Sequence, residues 1–386
     1  MKKLLAITVI FALVAGAAFA ETTVSGSVEL QWMIAQDDGI SGVVAGDKFD
    51  GVWTNGMIDN AAFALSSSND DGTYGGMAKF VLMGMGGNPG RSWEAAPTHL
   101  KWDRAFAWWQ PIEQLKLFLG KDGDGLFNTA GLIRWGHFQM PRNISVEGWE
   151  AGDYLLGNWD GFGFAMMVYP MDGLEINFKI DVPNDSYGDG YLDDGSGSVA
   201  NPSQKGEFGD VFKTMQLQVG YNVSDIGKFY LTYQGEFGGD RFGVTYQSAE
   251  FIEGLQFEIG LAYKGIANEV KDPIKVGLGA HYTGGDWGVK TRFFIAPDKG
   301  KTAGTDGFFY FKTDIMPWYA LDFGTIYCNI RVETLNKDDL GWHINPYLRM
   351  PMGGGGDFRV GARFESSTAD GAKVKWLLAT SWLVSF

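Results

Sequence analysis

The sequence predicts an all-β chain that crosses a membrane as a transmembrane antiparallel β-barrel of about eighteen strands, with sixteen as the alternative count. Three observations carry the prediction. Segments of roughly ten residues alternate apolar and polar side chains at period two, the spacing that turns one face of a strand outward and the other inward. After the first twenty positions no apolar run reaches about 20 residues, the length a helix needs to cross a bilayer. Aromatic residues make up 15% of the chain, with 14 tryptophans among its 386 residues, and aromatic girdles at both interfaces are what such a barrel requires.

The chain opens with Met1, Lys2 and Lys3, an apolar run from Leu4 to Val14, and Ala18-Phe19-Ala20 ahead of the first acid, Glu21. A basic start, a short apolar core and an A-x-A site read as a secretory signal peptide over residues 1–20. No cysteine lies near that site, which argues against a lipoprotein anchor. The single cysteine, Cys328, rules out an intrachain disulfide. In residues 21–386 the first strand runs from Thr23 to Ile34, with Val24, Val28, Leu30, Trp32 and Ile34 on the apolar face and Thr23, Ser25, Ser27, Glu29 and Gln31 on the polar one. Strands follow within Phe49 to Leu65, over Tyr74 to Met83, through Trp102 to Gln110, and over the alternation of Leu115, Leu117 and Leu119. A long connection, 121–160, interrupts them, and connections of that length inside a compact domain are usually functional. Strands resume at Phe162 to Tyr169, a Pro170-Met171-Asp172 turn and Leu174 to Val182, before a second long loop from Pro183 to Asp210.

The remaining strands are expected at Met215 to Tyr221, Lys228 to Glu236, Arg241 to Gln247, Leu255 to Lys264, Ile274 to Thr283 and Trp287 to Ala296. Five more follow at Gly307 to Ile315, Gly324 to Glu333, Leu340 to Met350, Phe358 to Glu365 and Lys373 to Phe386. All the long connections are odd-numbered, and the even-numbered ones are mostly short. A barrel with both chain ends on one side has this asymmetry, short turns below and long loops above.

The last strand places Val374, Trp376, Leu378, Trp382, Val384 and Phe386 on one face. An apolar strand ending on an aromatic residue is an unpaired edge that must be closed. Together with the signal peptide it resembles the terminal signature of bacterial outer-membrane β-barrels, and the chain as a whole resembles the general diffusion porins. The resemblance implies an outer-membrane location among lipid, recognition of the Phe386 strand by the barrel-assembly machinery, a homotrimer, and passive diffusion of small hydrophilic solutes and ions through a water-filled channel. In that family the third outer loop folds into the pore and sets acids against an arginine cluster on the facing wall. Connection 121–160 is in that position and carries Asp122, Asp124, Glu147, Glu150 and Asp153. Residues out of phase with the apolar positions supply the basic wall: Lys290, Arg292, Arg349, Arg359 and Arg363, with Lys375 nearby. The same charges also suit a plain solvated lumen, since a wet barrel is lined by polar groups whatever passes through it.

Two other functions stay open. Trp135, Trp149 and Trp159 in the long connection would offer stacking surfaces to sugars in a substrate-selective channel, and a plugged barrel would serve as a surface adhesin or structural protein. Enzymatic chemistry is not indicated. The four histidines, His99, His137, His281 and His343, show no metal-ligand spacing, and neither H-E-x-x-H nor G-x-S-x-G occurs. The acidic stretch around Asp185, Asp189 and Asp193 lacks the closing glutamate of a calcium loop. No cofactor or metal is implied, and a net charge of −15 argues against nucleic acid as a partner. Cys328 falls in phase with Ile326 and Ile330 and is expected to face lipid. Mass spectrometry of the exported protein should find Glu21 at its N-terminus; an intact Met1 would contradict the signal reading.

Overall fold

A computed structural model describes residues 21–36, 47–49, 52–83, 99–121, 162–181, 215–234, 241–264, 274–299 and 307–386. The strands are β1 (Glu21–Ala35), β2 (Asp47–Phe49), β3 (Val52–Ser68), β4 (Tyr74–Met83), β5 (His99–Ile112), β6 (Leu115–Lys121), β7 (Phe162–Met171), β8 (Leu174–Asp181), β9 (Met215–Val223) and β10 (Gly227–Gln234). They continue as β11 (Arg241–Ser248), β12 (Leu255–Lys264), β13 (Ile274–Gly284), β14 (Trp287–Lys299), β15 (Phe308–Leu321), β16 (Gly324–Thr334), β17 (Leu340–Pro351), β18 (Asp357–Ser367) and β19 (Lys375–Ser385). The three-residue β2 pairs only with the start of β3. The other eighteen form one antiparallel sheet that closes on itself, and the alternative count of sixteen is excluded.

Closure joins β1 to β19, in register from Ser27 opposite Ser385 to Ala35 opposite Leu377. At the chain end the Gly26 N–H donates to the Phe386 carbonyl at 2.7 Å, and the Phe386 N–H donates back to the Gly26 carbonyl at 2.9 Å. A Cβ on Gly26 would lie 2.5 Å from the Phe386 ring. Glycine therefore leaves the space that the terminal aromatic covers.

Outward positions are the apolar ones along strand after strand: Leu30 and Trp32, Leu119, Phe164, Leu231, Ile259 and Leu261, Phe293, Ile330, Leu378 and Trp382 are all exposed. Exposed Tyr74, Trp109, Tyr221, Trp287, Tyr319 and Phe323 gather at the short-turn end. This is the interfacial aromatic belt of a membrane barrel. Cys328 shares its phase with exposed Ile326 and Ile330, while its neighbours Tyr327 and Asn329 take the inward phase.

Several strands run further than the sequence suggests, and proline is the reason. With strand ends expected at Gln110 and Tyr169, Pro111 and Pro170 fall outside any expected strand; each instead sits inside one, where the pairing shifts between Trp109 and Ile112 and between Val168 and Met171. Proline has no N–H to give the ladder, and a bulge is where a sheet tolerates it. The turn after β7 is consequently Asp172-Gly173, with Gly173 at φ 79. Likewise β15 passes through Pro317 to Leu321 rather than ending at Ile315. Deleting Phe386 removes two backbone hydrogen bonds, each worth about 0.5–1.5 kcal/mol net. We expect a lower unfolding midpoint in heat-modifiable electrophoresis and a similar loss from Gly26→Val; an unchanged midpoint in both would contradict the seam.

Candidate functional site: the charged inner wall

The inward phase of β14 to β19 brings ionisable residues into lateral rows. The pairings Arg292–Asp314, Asp314–Arg331, Arg331–His343, His343–Glu365 and Glu365–Lys375 are each directly cross-strand. Six neighbouring strands thus hold one row, Arg292, Asp314, Arg331, His343, Glu365 and Lys375, in which basic and acidic groups nearly alternate. Opposite charges directly across an antiparallel pair attract, and like charges repel.

Asp314 anchors one end of the row. It is 1% exposed and accepts two hydrogen bonds from Arg331, from Nε and from Nη2, both at 2.9 Å. Arg292 Nη2 approaches its other side at 3.6 Å. A planar guanidinium gripping both carboxylate oxygens is the strongest geometry such a pair adopts. His343 sits between two carboxylates, with Nε2 at 3.5 Å from Glu333 and Nδ1 at 3.3 Å from Glu365. Arg363 reaches both Glu365, at 2.5 Å, and His343 Nδ1, at 3.2 Å. Lys312 stands 3.9 Å from Glu333.

A second group lies toward the short-turn end. Arg349 and Arg359 face each other across β17 and β18 and share Asp357. Arg349 grips it from Nε and Nη2, both at 2.9 Å, and Arg359 Nη2 donates at 3.0 Å. Arg359 also reaches across the closing seam to Glu29 on β1, at 3.4 Å. Between the two charged groups is an apolar stripe. Tyr327 and Tyr347 stack with centroids 4.7 Å apart and planes 7° from parallel. Tyr347 stands opposite Gly361 and joins Met316, Met33, Leu377 and Ala379 in one buried cluster. Glycine at 361 puts no side chain between the tyrosine and β19.

All five basic residues singled out from sequence lie on this wall: Arg292, Arg349, Arg359 and Arg363 as described, and Lys290 opposite His281 and Met316. The acids Asp122, Asp124, Glu147, Glu150 and Asp153, and the tryptophans Trp135, Trp149 and Trp159, lie outside the described residues. Sequence reasoning missed the wall's own acids, Asp314, Glu333, Asp357, Glu365 and Glu29. For the first four the signal was present, because each keeps the inward phase of a basic neighbour two positions away: Lys312, Arg331, Arg359 and Arg363; Glu29 has no such neighbour and meets Arg359 only across the seam. Among the described residues, no group of three His, Cys, Asp or Glu side chains is placed to hold a metal ion.

On β5 and β6, away from the charged wall, the inward phase carries an aromatic patch. Phe106, Trp108 and Phe118 pack at centroid distances of 6.1 Å, and the Lys116 ammonium lies 5.2 Å from Phe118 and 5.7 Å from Trp108. Cations over ring faces are attracted by the π quadrupole. Gly75, opposite Trp108, accommodates the indole, since a Cβ there would meet it at 2.3 Å.

No family model matches the chain, and no curated protein matches it. Solved structures do. The outer membrane protein OpdK from Pseudomonas aeruginosa superposes with a TM-score of 0.54 at 10% identity, covering 95% of this chain and 99% of that one. A five-site variant of Rh. blastica porin gives 0.51 at 12% identity, covering 95% and 100%. The barrel described above is therefore a porin-type fold. Asp314→Asn should destabilise the barrel by roughly 3–5 kcal/mol, because it leaves buried arginines without their counter-charge. Adding Arg331→Met should recover much of the loss in urea unfolding; a single variant as stable as the parent would contradict the pairing.

Proposed function

We propose that the chain is an outer-membrane porin, a passive channel for small hydrophilic solutes and ions. The single observation that carries this reading is the pairing of an apolar outer surface with a charged inner wall on one closed sheet. Lipid suits only the first and water only the second. No cofactor or chemical step enters the reading.

On β1 and β14 to β19 the inward basic groups outnumber the acids even after pairing. Elsewhere in the lumen β5 and β6 carry aromatic rings. A wall whose fixed charge is unbalanced sets a transverse field, which favours dipolar and charged solutes over apolar ones. In this proposal connection 121–160 folds inward over the basic wall, with Asp122, Asp124, Glu147, Glu150 and Asp153 facing Lys290, Arg292, Arg349, Arg359 and Arg363. Signal cleavage after Ala20, assembly through the Phe386 strand and a homotrimer belong to the same proposal. The shallow apolar groove of Trp32, Ile34, Phe323, Ile326, Leu348 and Leu378 on the outer face beside the seam supports subunit packing there.

A sugar-selective channel is the second reading, and the aromatic patch of Phe106, Trp108 and Phe118 favours it, because sugar rings stack on such faces. Single-channel recording of the refolded barrel in a planar bilayer separates the possibilities. Stable ohmic openings are expected, and Arg349→Ala with Arg359→Ala should move the reversal potential in a salt gradient toward cation selectivity. Block by added oligosaccharide would favour the sugar channel. A folded, heat-modifiable barrel that never conducts would overturn the porin proposal and favour a plugged adhesin or structural barrel.

A further inference from the structure

The carboxylates of the charged wall are engaged by arginine, histidine or lysine side chains at close range, whereas one inward carboxylate elsewhere, Glu175, faces a cavity with a single lysine beside it. Glu175 takes the inward phase of β8 with Asn177 and Lys179, which are buried. Its electrostatic partners are Lys228 and Tyr169. It borders a cavity of about 430 Å³ at the short-turn end of the lumen. Tyr169 and Tyr230 flank this cavity, Lys228 and Asn222 close one side, and Glu113 and Asp172 from the two neighbouring turns add negative charge at the rim.

The backbone is shaped to hold the carboxylate there. Glu175 stands opposite Gly220, and Gly220 stands opposite Tyr230. A Cβ at 220 would lie 2.7 Å from both Glu175 Cγ and Oε1, and 2.8 Å from Tyr230 Cε1. The carboxylate and the phenol ring therefore converge on one glycine, at a place where any side chain would displace them. The Asn222 N–H bonds to the Gly173 carbonyl at 2.8 Å and ties the turn after β7 to the floor of the cavity. Three acids against one lysine make the cavity cation-attracting. A carboxylate beside tyrosine rings is the combination that recognises an ammonium group, through charge and through the ring faces.

We propose that this cavity binds a small solute carrying a protonated amine, with Glu175 as its counter-charge, Tyr169 and Tyr230 as its ring walls, and Lys228 as a competing cation that keeps the affinity low. The site lies in the lumen of the barrel and is reached from the short-turn end, so it rests on the porin reading only for solute access from outside. Binding itself requires no conductance, which keeps the two failures apart.

The test is saturation-transfer NMR of ethanolammonium chloride on the folded barrel in detergent micelles, with heat-modifiable migration as the check on folding. The parent should bind at millimolar concentration. Glu175→Gln should weaken binding roughly tenfold, the loss of one charge-assisted contact. Lys228→Met should strengthen it, because the competing ammonium is gone. Absence of binding to the parent, or binding unchanged by Glu175→Gln, would overturn the proposal. Should Glu175→Gln fail to fold, an affinity unchanged by Lys228→Met would overturn it equally.

Discussion

Everything in this barrel depends on pairing the first strand with the last. In lipid no water is available to an open sheet edge, and each unsatisfied backbone group there costs several kcal/mol. The chain meets this constraint at its final residue, where Phe386 and Gly26 exchange backbone hydrogen bonds. Once the seam is closed, each of the eighteen barrel strands has two neighbours, and the period-two alternation acquires a fixed meaning. One phase faces lipid, and the other faces an enclosed space. Arg359 shows how far the seam reaches, since its contact with Glu29 crosses from β18 to β1 and exists only because β19 and β1 are paired.

Closure also sets the inner wall's chemistry. With register fixed, a single choice of residue at each inward position produces rows of facing side chains. The row from Arg292 to Lys375 is such a product, with acids and bases from six strands brought level. Buried charges of this kind add little net stability compared with apolar packing, but each is costly to leave without its partner. Their value lies in holding polar groups at defined places in the lumen while the Tyr327–Tyr347 stack and its methionine and leucine neighbours fill the space between. Elsewhere on the wall, Gly75 and Gly220 each lie opposite a ring, Trp108 and Tyr230, that uses the vacant volume.

Much of the fold was legible in the sequence because alternation is local. Leu255 to Lys264 was bounded correctly from its own residues, and so were the starts of the strands at Met215, Arg241, Ile274, Trp287, Gly324 and Leu340. The inward placement of the arginines could be read in the same way, from phase alone. Two things could not. The bulges at Pro111 and Pro170, and the passage of β15 through Pro317, depend on which face of the proline meets a neighbouring strand, and that is decided by the partner. The partners of the arginines depend on register between strands, as with Asp314, which is seventeen positions from Arg331 in sequence and directly opposite it in the sheet. The setting of Glu175 was equally invisible, because the residues around its cavity come from four strands that only the assembled barrel brings together. The acids and tryptophans of connection 121–160 lie outside the described residues.

The central claim is that the charged phase faces a water-filled channel and the apolar phase faces lipid. Lys290 and Cys328 lie in these two phases, which makes thiol accessibility during current recording the most direct measurement. In a Cys328→Ala, Lys290→Cys barrel, a charged, membrane-impermeant thiol reagent should react and reduce the single-channel current in a discrete step. The parent barrel, with only Cys328, should be unaffected by the same reagent. A silent position 290, or a current change at Cys328, would contradict the account.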